Sequence, residues 1–189
     1  MKKTAVLIYD SFCNFELSVA LEVLAFAPKE ITVFAASKDP VKSEEGLTVL
    51  PDRTIFELDI DEYDSLLLTG AADIRSAIEN PDILDFIRKF SDRAIGAISI
   101  APILLVKSGV MGDRPFMAGI NREDLVEEGF TEAELAHLHG WDDNLKNPVA
   151  DGYILSGNIL TSVSYNFAKF GLAFGRMLGI DVSPKTFGV

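Results

Sequence analysis

"AIGAISIAPILLVKSG", residues 94–109, opens with an apolar run, 94–106, broken by one hydroxyl, Ser99, with a small residue two places to either side. Residues 94–98 have the continuous apolar character of a strand buried on both faces. Residues 101–109 read as a buried helix with Lys107 in its last turn and Gly109 as its stop. A strand that turns at a single residue into a helix is half of a strand–helix–strand unit, so what flanks it decides the fold.

Upstream the same unit recurs. "TAVLIYD" (4–10) is a short apolar strand, Asn14 is read as the N-cap of the helix "FELSVALEVLAF", and Pro28 stops that helix before the strand "ITVFAA" (31–36). "PVKSEEGLTVLPD" (40–52) has Gly46 between two short runs and reads as a hairpin-like excursion. The strand "DSLLLTG" (64–70) and the helix "DILDFIRKF", capped by Asp82, complete the first half. Downstream, "FMAG" reads as a strand and "REDLVEE" and "EAELAHL" as short surface helices. "YILSGNILTS" (153–162) reads as a strand pair turning at Gly157 and Asn158, and residues 165–178 as a helix closed by Gly179. Parallel strands need crossovers, and crossovers place helices outside. The expectation is an α/β, flavodoxin-like, doubly wound and mainly parallel sheet with helices on both faces, a three-layer sandwich formed by one domain over residues 1–189.

Composition narrows the function classes. At 48% hydrophobic and 24% charged, the chain has the make-up of an ordinary globular protein. Its net charge of −12 repels phosphate backbones and no basic patch opposes it, so nucleic acid is excluded as a partner. Lys2 and Lys3 precede an apolar run too short for a signal peptide, and the longest apolar stretch falls short of the ~20 residues that span a bilayer. Cys13 is the only cysteine, which rules out an intrachain disulfide. A cytoplasmic protein without membrane contact is expected.

In a doubly wound sheet, ligands bind beyond the carboxyl ends of the strands. There, Ala97-Ile98-Ser99-Ile100-Ala101 has the small-x-Ser-x-small form of a nucleophile elbow, in which small neighbours let turns approach a strained residue. A receiver domain would need paired acids after the first strand and an aspartate after the third, where the chain has Asp10 and Thr69. A flavodoxin would need a glycine-bearing phosphate loop, and "DSFCNF" has no glycine.

Five segments in order, "VLIYDSFCNFELSVALEVL", "PVKSEEGLTVLPD", "LLLTGAADI", "AISIAPILLVKSGVM" and "SGNILTS", resemble the ThiJ/PfpI (DJ-one) family of the class I glutamine-amidotransferase-like superfamily. The resemblance places Ser99 where most members have a nucleophilic cysteine, and Glu16 where the family has a glutamic acid bonded to that sulfur. It assigns oxyanion binding to Gly70, Ala71 and Ile100, the amides of Ala71 and Ile100 forming the pair. It also implies a homodimer. Each of the family's places for a histidine lacks one: Ile100 after the elbow, Met117 to Gly119 after the next strand, and Ser162 to Ser164 beyond the last.

A serine hydroxyl is far weaker than a thiol without a positioned base. His139, in "LAHLHGWDDN", could supply one by folding back over the sheet edge. The alternative is that His137 and His139 are a surface or half-buried pair, and the nearby Asp142 and Asp143 make only an incidental metal-like grouping, so no metal and no cofactor are expected. Phe12, Phe15 and Leu17 surround Glu16 with apolar surface that would keep it protonated. Cys13, on the same loop, is either an inert small core residue or a reactive thiol replacing the missing one. Two functions remain: a degenerate member that binds a small molecule, as a stress-related or regulatory protein, or a hydrolase, hydratase or carbonyl-processing enzyme that uses Ser99 with Glu16. Loss of general base catalysis, worth ~100- to 10,000-fold, favours the first.

Overall fold

The structure, a computed structural model, describes residues 2–189. In chain order, β1 (Lys3–Leu7) leads through a 3-10 turn (Phe15–Leu17) into α1 (Ser18–Phe26) and β2 (Ile31–Ala35). A hairpin of β3 (Val41–Lys42) and β4 (Thr48–Val49) precedes β5 (Arg53–Thr54), β6 (Tyr63–Leu68), α2 (Arg75–Ile78) and α3 (Pro81–Arg88). Next come β7 (Ala94–Ile98), α4 (Pro102–Lys107), β8 (Phe116–Met117), α5 (Arg122–Glu127), β9 (Leu138–His139) and α6 (Trp141–Lys146). β10 (Ile154–Ser156), β11 (Ile159–Ser162) and α7 (Phe167–Met177) close the chain's regular structure.

The main sheet runs β10-β11-β7-β6-β1-β2-β5, parallel except for the β10–β11 hairpin at one edge. α1 and α7 cover one face, and α2, α3 and α4 associate on the other, which gives the flavodoxin-like doubly wound sandwich expected from the alternation. The central strands are apolar on both faces because both faces are covered: Ala5, Leu7, Leu66, Leu67, Leu68, Ile95, Ala97 and Ile98 have at most 1% exposure. Thr4 and Ser65, both buried in this layer, share a 2.8 Å hydrogen bond across β1 and β6. On the α1 side, a Cβ on Gly171 would stand 2.6 Å from the Ala20 backbone nitrogen, so α7 approaches α1 as closely as it does only through a missing side chain. No helix among the described residues is long and apolar enough to cross a membrane.

Three local expectations are corrected. Asn80, not Asp82, caps α3: its side chain accepts the N–H of Asp82 and of Ile83, and Pro81 takes the first helical position, where no N–H is needed. Asn14 makes no side-chain cap at the start of the first helical segment. "EAELAHL" is not a helix; residues 132–137 form turns and Leu138–His139 becomes β9, paired in parallel with β8.

Candidate functional site

Ser99 occupies the turn between β7 and α4 with φ +64°, a left-handed conformation that costs a residue with a Cβ roughly 1–2 kcal/mol. Its neighbours over-determine that geometry. The Ser99 N–H donates to the Ser162 carbonyl at 2.8 Å, and the Ser99 carbonyl accepts the Gly119 N–H at 2.7 Å. Gly119 lies against this turn so closely that a Cβ there would sit 3.3 Å from the Ser99 Cα. The stretch from Met117 to Gly119, one of the places that could have held a histidine, thus ends in a residue without a side chain.

Glu16 lies in the 3-10 turn ahead of α1 and is 1% exposed. The turn is capped from a distance: the Glu45 carboxylate, on the β3–β4 hairpin, accepts the N–H of Asn14 at 3.1 Å and of Phe15 at 3.0 Å. Glu16 Oε2 accepts the Gly70 N–H at 2.7 Å and stands 3.1 Å from Thr69 Oγ1. Thr69 has one hydroxyl proton, and at 2.6 Å it is directed to the Cys13 carbonyl, so the contact with Oε2 is favourable when the carboxyl carries a proton. Burial pushes the Glu16 carboxyl above its ordinary range, against the opposing pull of the Gly70 N–H and the hydroxyl of Ser99.

The segment between Glu16 and Ser99 is fixed on every side. Tyr9 donates its hydroxyl to the Thr69 carbonyl, Cys13 donates its N–H to the Gly70 carbonyl at 2.8 Å, and Ala72 donates to the Ser11 carbonyl at 3.0 Å. Gly70 leaves the gap in which Ser99 and Glu16 meet, since a Cβ on it would fall 2.7 Å from Ser99 Oγ and 2.9 Å from Glu16 Oε2. Because its N–H is committed to Glu16, Gly70 drops out of the expected oxyanion group. The N–H groups of Ala71 and Ile100 donate to no protein acceptor among the described residues. Ser99, Glu16, Ala71 and Ile100 therefore form one constellation: a hydroxyl, a carboxyl whose proton burial helps to retain, and two unspent amide donors.

Cys13 borders this constellation, beside Glu16 and bonded through its carbonyl to the Thr69 hydroxyl. The Cys13 thiol is 4% exposed and donates to Glu44 Oε1 at 3.1 Å. Burial first, then the acidic side chains of Glu16, Glu44 and Glu45, push the thiol above its ordinary range, which favours an inert thiol over a reactive one. His139 is on β9; its Nε2 is buried without a hydrogen-bond partner, and no hydrogen bond joins its imidazole to Ser99. Neither histidine belongs to a metal-sized group with Asp142 and Asp143; among the described residues that description fits Cys13, Glu44 and Glu45.

Sequence reasoning missed Thr69, Tyr9 and Glu45. Thr69 was visible at the end of the third strand, in "LLLTGAADI" where the resembling family has Pro-Gly-Gly, so its hydroxyl is an addition specific to this turn. Glu45 acts across about thirty residues and leaves no local signal.

With the site described, the comparisons can be stated. The chain is 26% identical over 144 residues to the deglycase TK1284 of Thermococcus kodakarensis, covering 74% of this chain and 87% of that one. It is 24% identical over 151 residues to the glutathione-independent glyoxalase DJR-1.2 of Caenorhabditis elegans, covering 79% and 73%. Its fold matches, at TM-score 0.79 and 19% identity, a two-domain protein of Anabaena variabilis with DJ-1/ThiJ/PfpI-like and ferritin-like domains; all of this chain is covered, and it spans 52% of that protein. The model of the DJ-1/PfpI family matches residues 2–174, and on that match this chain belongs to the DJ-1/PfpI family.

Proposed function

We propose that this protein binds a small carbonyl compound at the Ser99 turn, and that Ser99 orients the ligand by hydrogen bonding instead of attacking it. One observation carries this reading: the Ser99 hydroxyl shares the Gly70 gap with a buried carboxyl whose pKa burial raises, and among the described residues no imidazole is bonded to it. A serine in that setting lacks the base that supplies ~100- to 10,000-fold in rate. The two amides remain suited to an oxygen bearing partial negative charge, and burial, by favouring the neutral form of Glu16, lessens the charge that would repel it. Two relatives, a deglycase and a glyoxalase, bear names of activities on carbonyl compounds.

The enzymatic reading, a hydrolase, hydratase or carbonyl-processing activity through Ser99, draws on the strained φ of +64°, which a glycine would relieve and which often marks active sites.

Butan-2-one is a suitable neutral probe. Titrated into 15N-labelled protein, it is expected to move the amide resonances of Ala71 and Ile100 first and furthest. Ser99→Ala is expected to weaken binding by about 2- to 10-fold, the worth of one hydrogen bond. Shifts confined to other amides would overturn the proposal.

A further inference from the structure

A cleft of about 660 Å³ is lined by Ile100, one of the amide pair, and by Ala72, the residue after the other. Its volume lies within the ~300–1,000 Å³ of small-molecule sites. The floor is aliphatic and aromatic: Ile74, Ile78, Ile103, Ile120, Leu125 and Phe130. Ile100, Ile103 and Lys107 follow helical spacing, so one stripe runs the length of the cleft, roughly 10 Å at ~1.5 Å rise per residue. Lys107 closes the far end, its Nζ 3.9 Å from the centre of the Phe130 ring.

The charges at the rim decide what the cleft accepts. Arg75 is committed to Asp73, donating through Nε at 2.9 Å and through Nη2 at 2.5 Å. Lys107 is shared between Phe130 and Glu134, the latter at 3.9 Å. Glu79 and Glu128 complete the charged lining, so carboxylates outnumber cations there and both cations are already engaged. A phosphate or a second carboxylate finds no unpaired partner, whereas an uncharged hydrocarbon chain finds a continuous apolar wall.

We infer that the ligand is a neutral carbonyl compound with a linear aliphatic chain, its oxygen at the Ala71 and Ile100 amides and its chain along the Ile100–Ile103 stripe toward Phe130. This rests on the carbonyl-binding reading above and extends it from the reacting group to the chain.

The test is a homologous series of methyl ketones, butan-2-one to decan-2-one, titrated into the full-length protein. Affinity is expected to rise about fourfold for each added methylene until the cleft is filled, and then to level off. Ile78→Asp and Ile120→Asn, each placing a polar group on the wall, are each expected to remove most of that gain. If butan-2-one shifts the Ala71 and Ile100 amides but longer ketones bind no more tightly, the chain inference falls while the carbonyl site stands. If affinity rises with length without moving those amides, the placement of the oxygen is wrong and both fall. A rise that neither variant reduces would put the chain elsewhere and overturn the inference.

Discussion

Ser99→Cys is expected to convert glyoxal to glycolate at least ~100-fold above the unsubstituted protein, whose turnover should be indistinguishable from buffer. The order of magnitude follows from the chemistry being restored. A free thiol ionises near ~8.5, and charge-assisted hydrogen bonds lower that value, whereas a serine hydroxyl stays protonated at any working pH without a base. Everything such a thiolate would need is already placed. The +64° turn is held in place by its neighbours, Gly70 keeps the gap to Glu16 open, and burial favours the protonated Glu16 that can donate to the sulfur. The Ala71 and Ile100 amides, which donate to no protein acceptor among the described residues, are the donors proposed for the oxygen that becomes negative. Glycolate formation followed by NMR checks this. A soluble, folded Ser99→Cys protein with no turnover would show that the scaffold has lost more than its nucleophile.

Gly70→Ala is expected to abolish ketone binding and to lower Tm by several degrees. The added Cβ would stand 2.7 Å from the Ser99 Cβ, 2.7 Å from its Oγ and 2.9 Å from Glu16 Oε2. Ser99 cannot retreat, since its N–H is held by Ser162 and its carbonyl by Gly119. Glu16 cannot retreat without leaving the Gly70 N–H. Overpacking of this kind costs about 1–3 kcal/mol, and each kcal/mol is ~2–4 °C for a chain of this size. The clash has a specific signature. In a Ser99→Gly background two of the three close atoms are gone, so the same substitution should cost less than half as much in a double-mutant cycle read by thermal unfolding. Additive costs would mean that Gly70 is needed for another reason.

The parts of this molecule legible in sequence are those whose signal is continuous. β1, β6 and β7 carry the unbroken apolar runs Ala5–Leu7, Leu66–Leu68 and Ala94–Ile98 because both sheet faces are covered, and the Ser99 turn stood out as the single hydroxyl between Ala94 and Val106. Ser99, Glu16, Ala71 and Ile100 were named from the resemblance carried by five segments, and Ser99 and Glu16 share the gap that Gly70 leaves. What escaped is what neighbours far along the chain decide. Thr131 and Glu134 form the reciprocal bonds of a helix start, Glu134 accepting the Thr131 N–H and hydroxyl at 2.8 Å each, so "EAELAHL" carries a true local helix signal. It does not propagate, because so short a segment lacks helical stability of its own and Leu135 and Leu138 are drawn into the core instead. α6 was passed over for the opposite reason: "WDDNLK" has few apolar residues, and its signal is electrostatic, with Asp142 and Asp143 in the first turn and Lys146 in the last. Glu45 was invisible as a cap because it belongs to a different element from the turn it holds.

The central claim is that the elbow is intact but its serine is not activated, and intact-mass spectrometry after exposure to an alkyl fluorophosphonate tests it most directly. The account predicts an unchanged mass for the native protein, as for Ser99→Ala. A rapid increase by the mass of one phosphonyl group, mapped to Ser99 and absent in Ser99→Ala, would contradict it.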